Sequence, residues 1–269
     1  MSDFLQTMAA ASGERAAAVS PVFSSADFDK PLLPIATRGF GVIAEIKERS
    51  PAEGDLRLPG NDRLTQARRY AEGGAAAISV LTEPTRFAGD LAHLEAVVAA
   101  VPGTPVMRKD FLVDPVQVSE ARKAGASGIL LIAAMLSDRR LREMLDRAWE
   151  LGLFVLLESF DDDDLARSSR LLDNSNEGER GESGQLLIGI NSRNLRTLEV
   201  DSMRLERLAP ALPAATCVAE SGLHHPDDAA RVAGWGYRMA LVGTALMRSA
   251  DPAGLLAAMR ASGAEVLAA

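Results

Sequence analysis

Eight short apolar runs, separated by segments of helical spacing, constrain this chain more than any other feature of its sequence. The runs lie near residues 42–46, 76–81, 105–107, 129–133, 153–157, 186–190, 216–219 and 239–242. They are nearly continuous in apolar residues, which is the pattern of parallel strands covered on both faces by other layers. Between them, segments 61–72, 114–124, 138–151 and 226–233 each run to a glycine stop, as helices do. Eight alternating units in 269 residues predict an α/β chain folded as a single (β/α)8 TIM barrel. A doubly wound sheet fits less well, because the Gly-x-Gly-x-x-Gly turn after the first strand is missing. The barrel is expected to occupy residues 41–269. Residues 1–40 hold an Ala-rich stretch followed by Pro21, Pro31 and Pro34, and read as a loosely structured extension with one helix, placed to cap a barrel mouth. Residues 173–184, polar and glycine-rich, read as a flexible loop on the face away from the site.

Polar residues recur where the apolar runs end. Glu45 and Lys47 close the first run, Lys109 the third, Glu158 the fifth, Asn191 with Arg193 the sixth, and Glu220-Ser221-Gly222 the seventh. In a barrel those ends share one rim, so the repeated placement reads as a single site. Period-two spacing puts Glu45 and Lys47 on the same side of their strand. Together they can bind a substrate carboxylate or tune each other for proton transfer, and a structural ion pair closing the barrel is an equal reading. The basic set holds 25 arginines and only four lysines, so two lysines at strand ends stand out. An ammonium can give up a proton where a guanidinium cannot. Partial burial is expected to lower the pKa of Lys109 toward the range of a general acid. Glu158 is either an inward base or the neighbour of a helix cap, and Asp161 to Asp164 suit the positive end of the next helix better than a metal.

Asn191 and Arg193 repeat the period-two spacing, offering an amide to orient an oxygen and a guanidinium to clamp an anion. Gly222 follows the seventh run, and Gly243 with Thr244 the eighth. Small residues there let backbone N–H groups approach a phosphate, whose usual position in such barrels is beside strands seven and eight. His224 and His225 form no metal-ligand pattern with any carboxylate and read as surface residues. The net charge of −8 argues against an extended nucleic-acid surface, and no run approaches a membrane span, so a small-molecule ligand is expected. One cysteine, Cys217, excludes an intrachain disulfide and reads as core packing. A soluble cytoplasmic chain is expected.

These segments resemble the indole-glycerol-phosphate synthases of tryptophan biosynthesis. The likeness is carried by Ile43-Ala-Glu-Ile-Lys-Glu-Arg-Ser-Pro51, Ala75-Ala-Ala-Ile-Ser-Val-Leu-Thr-Glu83, Pro105-Val-Met-Arg-Lys-Asp-Phe111, Ile188-Gly-Ile-Asn-Ser-Arg-Asn-Leu195, Ala219-Glu-Ser-Gly222 and Leu241-Val-Gly-Thr-Ala-Leu-Met247, in order from about residue 41 to the end. It implies a barrel that converts 1-(2-carboxyphenylamino)-1-deoxyribulose 5-phosphate to indole-glycerol phosphate, with loss of carbon dioxide and water. Carried over by position, it implies Lys109 as the general acid, Lys47 as the holder of the carboxylate, Glu45 and Glu158 as proton acceptors, Asn191 and Ser221 as orienting groups, and Glu220 as electrostatic support. It implies a phosphate cradle of Ser50, Arg193, Gly222, Gly243 and Thr244, and an apolar wall of Phe111, Leu130 and Leu195. No metal or organic cofactor is implied. A monomer is expected, with other tryptophan-pathway enzymes as its implied protein partners. Ala52-Glu53-Gly54 stands where the family commonly has Ser-Lys-Gly, placing a negative charge at the mouth. The competing readings are a catalytically silent binder of phosphorylated ligands and another phosphate-binding barrel, an isomerase or a Schiff-base aldolase. Such an aldolase is expected to carry its lysine on the sixth strand, where this chain has Asn191.

Overall fold

The computed structural model describes residues 3–50, 53–56, 62–195 and 199–269. Eight parallel strands close into a barrel: β1 (Gly41–Ile46), β2 (Ala77–Leu81), β3 (Val106–Lys109), β4 (Gly128–Ile132), β5 (Phe154–Ser159), β6 (Leu186–Asn191), β7 (Thr216–Glu220) and β8 (Met239–Val242). Each pairs with its neighbours in sequence, and β8 returns to β1 in the register Gly41↔Met239 to Ala44↔Val242. The expected TIM barrel is the fold observed, with each strand within about two residues of its apolar run.

Two apolar layers explain why the strand runs lack polar residues. Val42, Ala44 and Ile46 face outward and pack with the helices, as do Leu186, Ile188 and Ile190. The alternate positions Ile43, Met107, Leu130, Leu156, Leu187, Val218 and Leu241 fill the barrel interior. This period of two fixes the inward direction for the next same-face residue of several strands, so Glu45, Lys109, Glu158 and Glu220 all point into the C-terminal mouth. Cys217 faces outward and is buried, and burial pushes its thiol up to about 12, consistent with a packing role.

Helix boundaries follow local capping. Asp114 caps the helix Pro115–Ala124, which Gly125 ends at φ 99°; Ser137 caps Asp138–Glu150. Asp161 caps Asp162–Leu172, with Asp162, Asp163 and Asp164 in its first turn, as the dipole reading expected. The helix expected from Asn61 is seen as Arg63–Glu72 with Asp62 as its cap; Asn61 and Ala52 lie outside the described residues.

Two expectations are corrected. Residues 173–184 do not form a loop: Ser175–Ser183 is a helix, capped by Asn174 and ended by Gly184 at φ 78°. Arg180 stacks over the Trp149 ring at 4.5 Å, and buried Gly181 faces Leu172 and Ala215, so a neighbouring helix supplies the apolar partner that the segment lacks in its own sequence. Nor is the N-terminal extension loose. Its helix Asp3–Ala18 buries Leu5, Met8 and Ser12. Gln117 Nε2 donates to Ser12 Oγ at 2.9 Å, and Arg15 Nη2 donates to Asp110 Oδ1 at 2.6 Å. Arg122 then holds the carbonyls of Phe28 and Lys30.

Candidate active site

The C-terminal mouth of the barrel holds a cavity of about 330 Å³. All the residues singled out in the sequence line it: Glu45, Lys47, Lys109, Glu158, Asn191, Glu220 and Ser221, together with Ser50, Phe111, Leu130, Arg193, Leu195, Gly222, Gly243 and Thr244. These residues come from seven of the eight strands and their loops, which therefore converge on one space.

Part of the lining is an ion cluster. Glu45 bridges both lysines, with Oε2 at 3.0 Å from Lys47 Nζ and Oε1 at 3.5 Å from Lys109 Nζ. Gly243 makes room for that carboxylate, since a side chain there would run into Glu45 Oε2. Burial raises the Glu45 pKa, but the ammoniums of Lys47 and Lys109 outweigh it and hold the group below its ordinary value. Lys109 departs from expectation. Burial does push its pKa down, yet the carboxylates of Glu45, Glu158 and Glu220 more than offset this and raise it above the ordinary lysine value. A desolvated lysine is easily deprotonated only when alone, and its acidic neighbours, Glu45 and Glu158 foremost, keep this one charged.

Across the mouth, Asn191 Nδ2 donates to Glu158 Oε1 at 2.9 Å, and the Arg193 N–H donates to Asn191 Oδ1 at 2.9 Å. Glu158 is therefore inward, not a helix-cap neighbour. Asn191 occupies the end of β6, so the lysine of the aldolase reading is absent from its expected place. Glu220 is buried between these groups and packs against Gly189. Among the described residues no N–H or O–H donor reaches either Glu220 oxygen, and Glu158 can share a hydrogen bond with it only when one of the two carries a proton. Burial raises the Glu220 pKa, Glu158 raises it further, and Lys109 opposes, leaving it well above its ordinary 4.5.

That shift has a measurable sign. A carboxyl whose pKa is raised by folding costs stability increasingly as pH rises above its ordinary value. The melting temperature of Glu220→Gln relative to wild type is thus expected to rise between about pH 5 and about pH 8. Thermal melts at both pH values check this, and a constant offset contradicts a raised Glu220 pKa.

Phe111, Leu130 and Leu195 line the cavity beside apolar residues that were not singled out in the sequence. Phe4 meets Phe111 edge-on with ring centroids 5.8 Å apart, and Phe87 lies 6.1 Å from the same ring. Leu81, Ile132 and Leu241 add to these from inward positions of β2, β4 and β8, and period-two counting from Ala77, Leu130 and Met239 finds them. Phe4 reaches the mouth only through helix docking. Asp110, also missed, accepts from Arg15, Thr82 and Arg108 in a network at the end of β3. Ser221 and Gly222 both take positive φ, 66° and 76°, directly after β7. A non-glycine residue in that region is strained, and such strain concentrates at functional sites. His224 is exposed and borders the cavity, and no metal-holding cluster of His, Cys, Asp or Glu occurs among the described residues. No helix among them is long and apolar enough to cross a membrane.

Comparisons with known proteins agree with this geometry. The family model described as indole-3-glycerol phosphate synthase matches residues 6–259, so the likeness begins inside the N-terminal helix and not at residue 41. A relative of that name from Nocardioides sp. is 48% identical over 239 residues, 87% of this chain and 86% of its own length. Another from Mycobacterium leprae is 41% identical over 249 residues, 92% of this chain and 84% of its own. Among solved structures, 3-hexulose-6-phosphate synthase from Salmonella typhimurium superposes with a TM-score of 0.63 at 17% identity, covering 84% of this chain and 99% of its own, a likeness of fold alone. With the family model spanning most of the chain and relatives above two-fifths identical, the chain belongs to the indole-3-glycerol phosphate synthase family.

Proposed function

We propose that this chain closes the indole ring of indole-glycerol phosphate from 1-(2-carboxyphenylamino)-1-deoxyribulose 5-phosphate, and that the lining residues act as follows. The observation that carries the reading is the set of groups gathered in one cavity. Two ammoniums sharing one carboxylate line it together with the hydroxyls, glycines and Arg193 of an anion cradle.

The phosphate rests against Ser50, Arg193, Gly222, Gly243 and Thr244. The aromatic ring lies on Phe111, Leu130 and Leu195, and residues 1–40 act as an extension that closes the mouth through Phe4. Lys47 holds the ring carboxylate. A new bond forms between the ring carbon bearing that carboxylate and the ketone carbon, while Lys109 delivers a proton to the ketone oxygen. Loss of carbon dioxide then returns the electron pair of the broken bond to the ring. Water leaves in the last step: Lys47 gives a proton to the departing hydroxyl, and one of the carboxylates, Glu45 or Glu158, takes the single proton lost from the neighbouring carbon. Asn191 and Ser221 orient the substrate. Glu220 supports Lys109 electrostatically, beside Glu45 and Glu158, whose charges hold the lysine protonated. No metal or organic cofactor takes part, and other enzymes of the same pathway are the protein partners in this reading.

The test is purified protein mixed with that substrate and followed by indole fluorescence. Product formation is expected. No product, with a ligand-induced rise in melting temperature, favours the silent-binder reading instead.

A further inference from the structure

Glu53 is left over by the roles above, yet it lines the cavity and is held there by the groups assigned to phosphate. Thr244 Oγ1 donates to Glu53 Oε1 at 3.1 Å. Arg193 Nη2 lies 3.7 Å from the same oxygen, and Arg248 Nη2 lies 3.7 Å from Oε2. Groups from beyond β6 and β8 thus converge on one carboxylate, which reaches them from the segment after β1. The Glu53 side chain is only 22% exposed, so this is an inserted contact and not a surface ion pair.

A carboxylate and a phosphate ask for the same donors: a hydroxyl and a guanidinium able to meet several oxygens. They cannot both take the Thr244 hydroxyl, and two anions held against one cradle repel each other. We propose that Glu53 is an internal anion occupying the phosphate end of the cavity, which an incoming phosphate must displace, so that Glu53 sets the affinity for phosphorylated ligands. This rests on the assignment of the phosphate end made above. Binding then requires the fraction of molecules in which Glu53 has left, and apparent affinity is reduced by that fraction. Gly54, at φ 72°, places a turn beside the carboxylate that swings away.

The probe is inorganic phosphate, titrated at constant ionic strength and read by the rise in melting temperature. In Glu53→Gln the size and the acceptor for Thr244 remain and the charge is gone. The half-saturating phosphate concentration is expected to fall by about five- to tenfold, the factor for a carboxylate occupying the cradle in most molecules. The KM of the phosphorylated substrate is expected to fall with it, with no matching change in kcat. Thr244→Val marks the site and is expected to weaken phosphate binding in both backgrounds. Equal or weaker binding in Glu53→Gln, with Thr244→Val still weakening it, overturns the role of Glu53 and leaves the phosphate end standing. Phosphate binding indifferent to Thr244→Val overturns the phosphate end itself, and the inference with it.

Discussion

Replacing Lys109 by alanine is expected to lower turnover by about 100-fold or more, the usual loss on removing a positioned general acid. Lys109 ends β3 in an inward position and is the ammonium in contact with Glu45 that also lies in the field of Glu158 and Glu220. Without it no proton donor of that position meets the ketone oxygen. Lys109→Arg is expected to be nearly as slow, since a guanidinium supplies the charge but gives up its proton too reluctantly to act as an acid. Indole fluorescence under saturating substrate measures both variants. A near-normal rate in Lys109→Ala contradicts the general-acid role, and rescue by arginine reduces that role to electrostatics.

Gly189→Ala is expected to be the most damaging small change in the barrel interior, costing about 1–3 kcal/mol as overpacking does. Gly189 faces inward two residues before Asn191, and an added methyl would collide with Glu220 Oε1 and crowd Leu156 Cδ1 at 3.1 Å. The Glu220 carboxyl is 1% exposed, so it has no solvent to retreat into. Displacing it also disturbs its contact with Glu158 and its support of Lys109, so turnover should fall along with stability. Denaturant unfolding measures the first effect. In a Glu220→Ala background the same substitution should cost distinctly less, because the atom it strikes is gone; contacting residues are where additivity fails. Equal costs in both backgrounds would show that Gly189 matters for some reason other than room for Glu220.

Much of the barrel was legible because its signal is local. Alternation along each strand places Ile43, Glu45 and Lys47 on one side without reference to any other strand, and the caps Asp114 and Ser137 stand beside the helices they start. The site residues were legible for the same reason: a polar residue at an inward strand end has few places to be except the mouth. What escaped is set by contacts across the barrel. The raised pKa of Lys109 depends on three carboxylates from β1, β5 and β7, and no local pattern shows that they surround it. Thr244 meets Glu53 across 191 positions of sequence. Phe4 and Arg15 act through the docking of an Ala-rich helix whose weak amphipathicity hid its buried face. The helix Ser175–Ser183 escaped because its stability comes from Trp149 and Leu172, while its own composition is that of a loop.

The proposed placement of phosphate and ring in the cavity is tested most directly by a crystal structure with indole-glycerol phosphate bound. The phosphate is expected within hydrogen-bond reach of the Thr244 hydroxyl and the backbone of Gly222 and Gly243, with the indole ring on Phe111 and Leu130 beneath Lys109, and with the Glu53 carboxylate withdrawn. A phosphate seated between Lys47 and Lys109, with the ring toward Thr244, would contradict both placements.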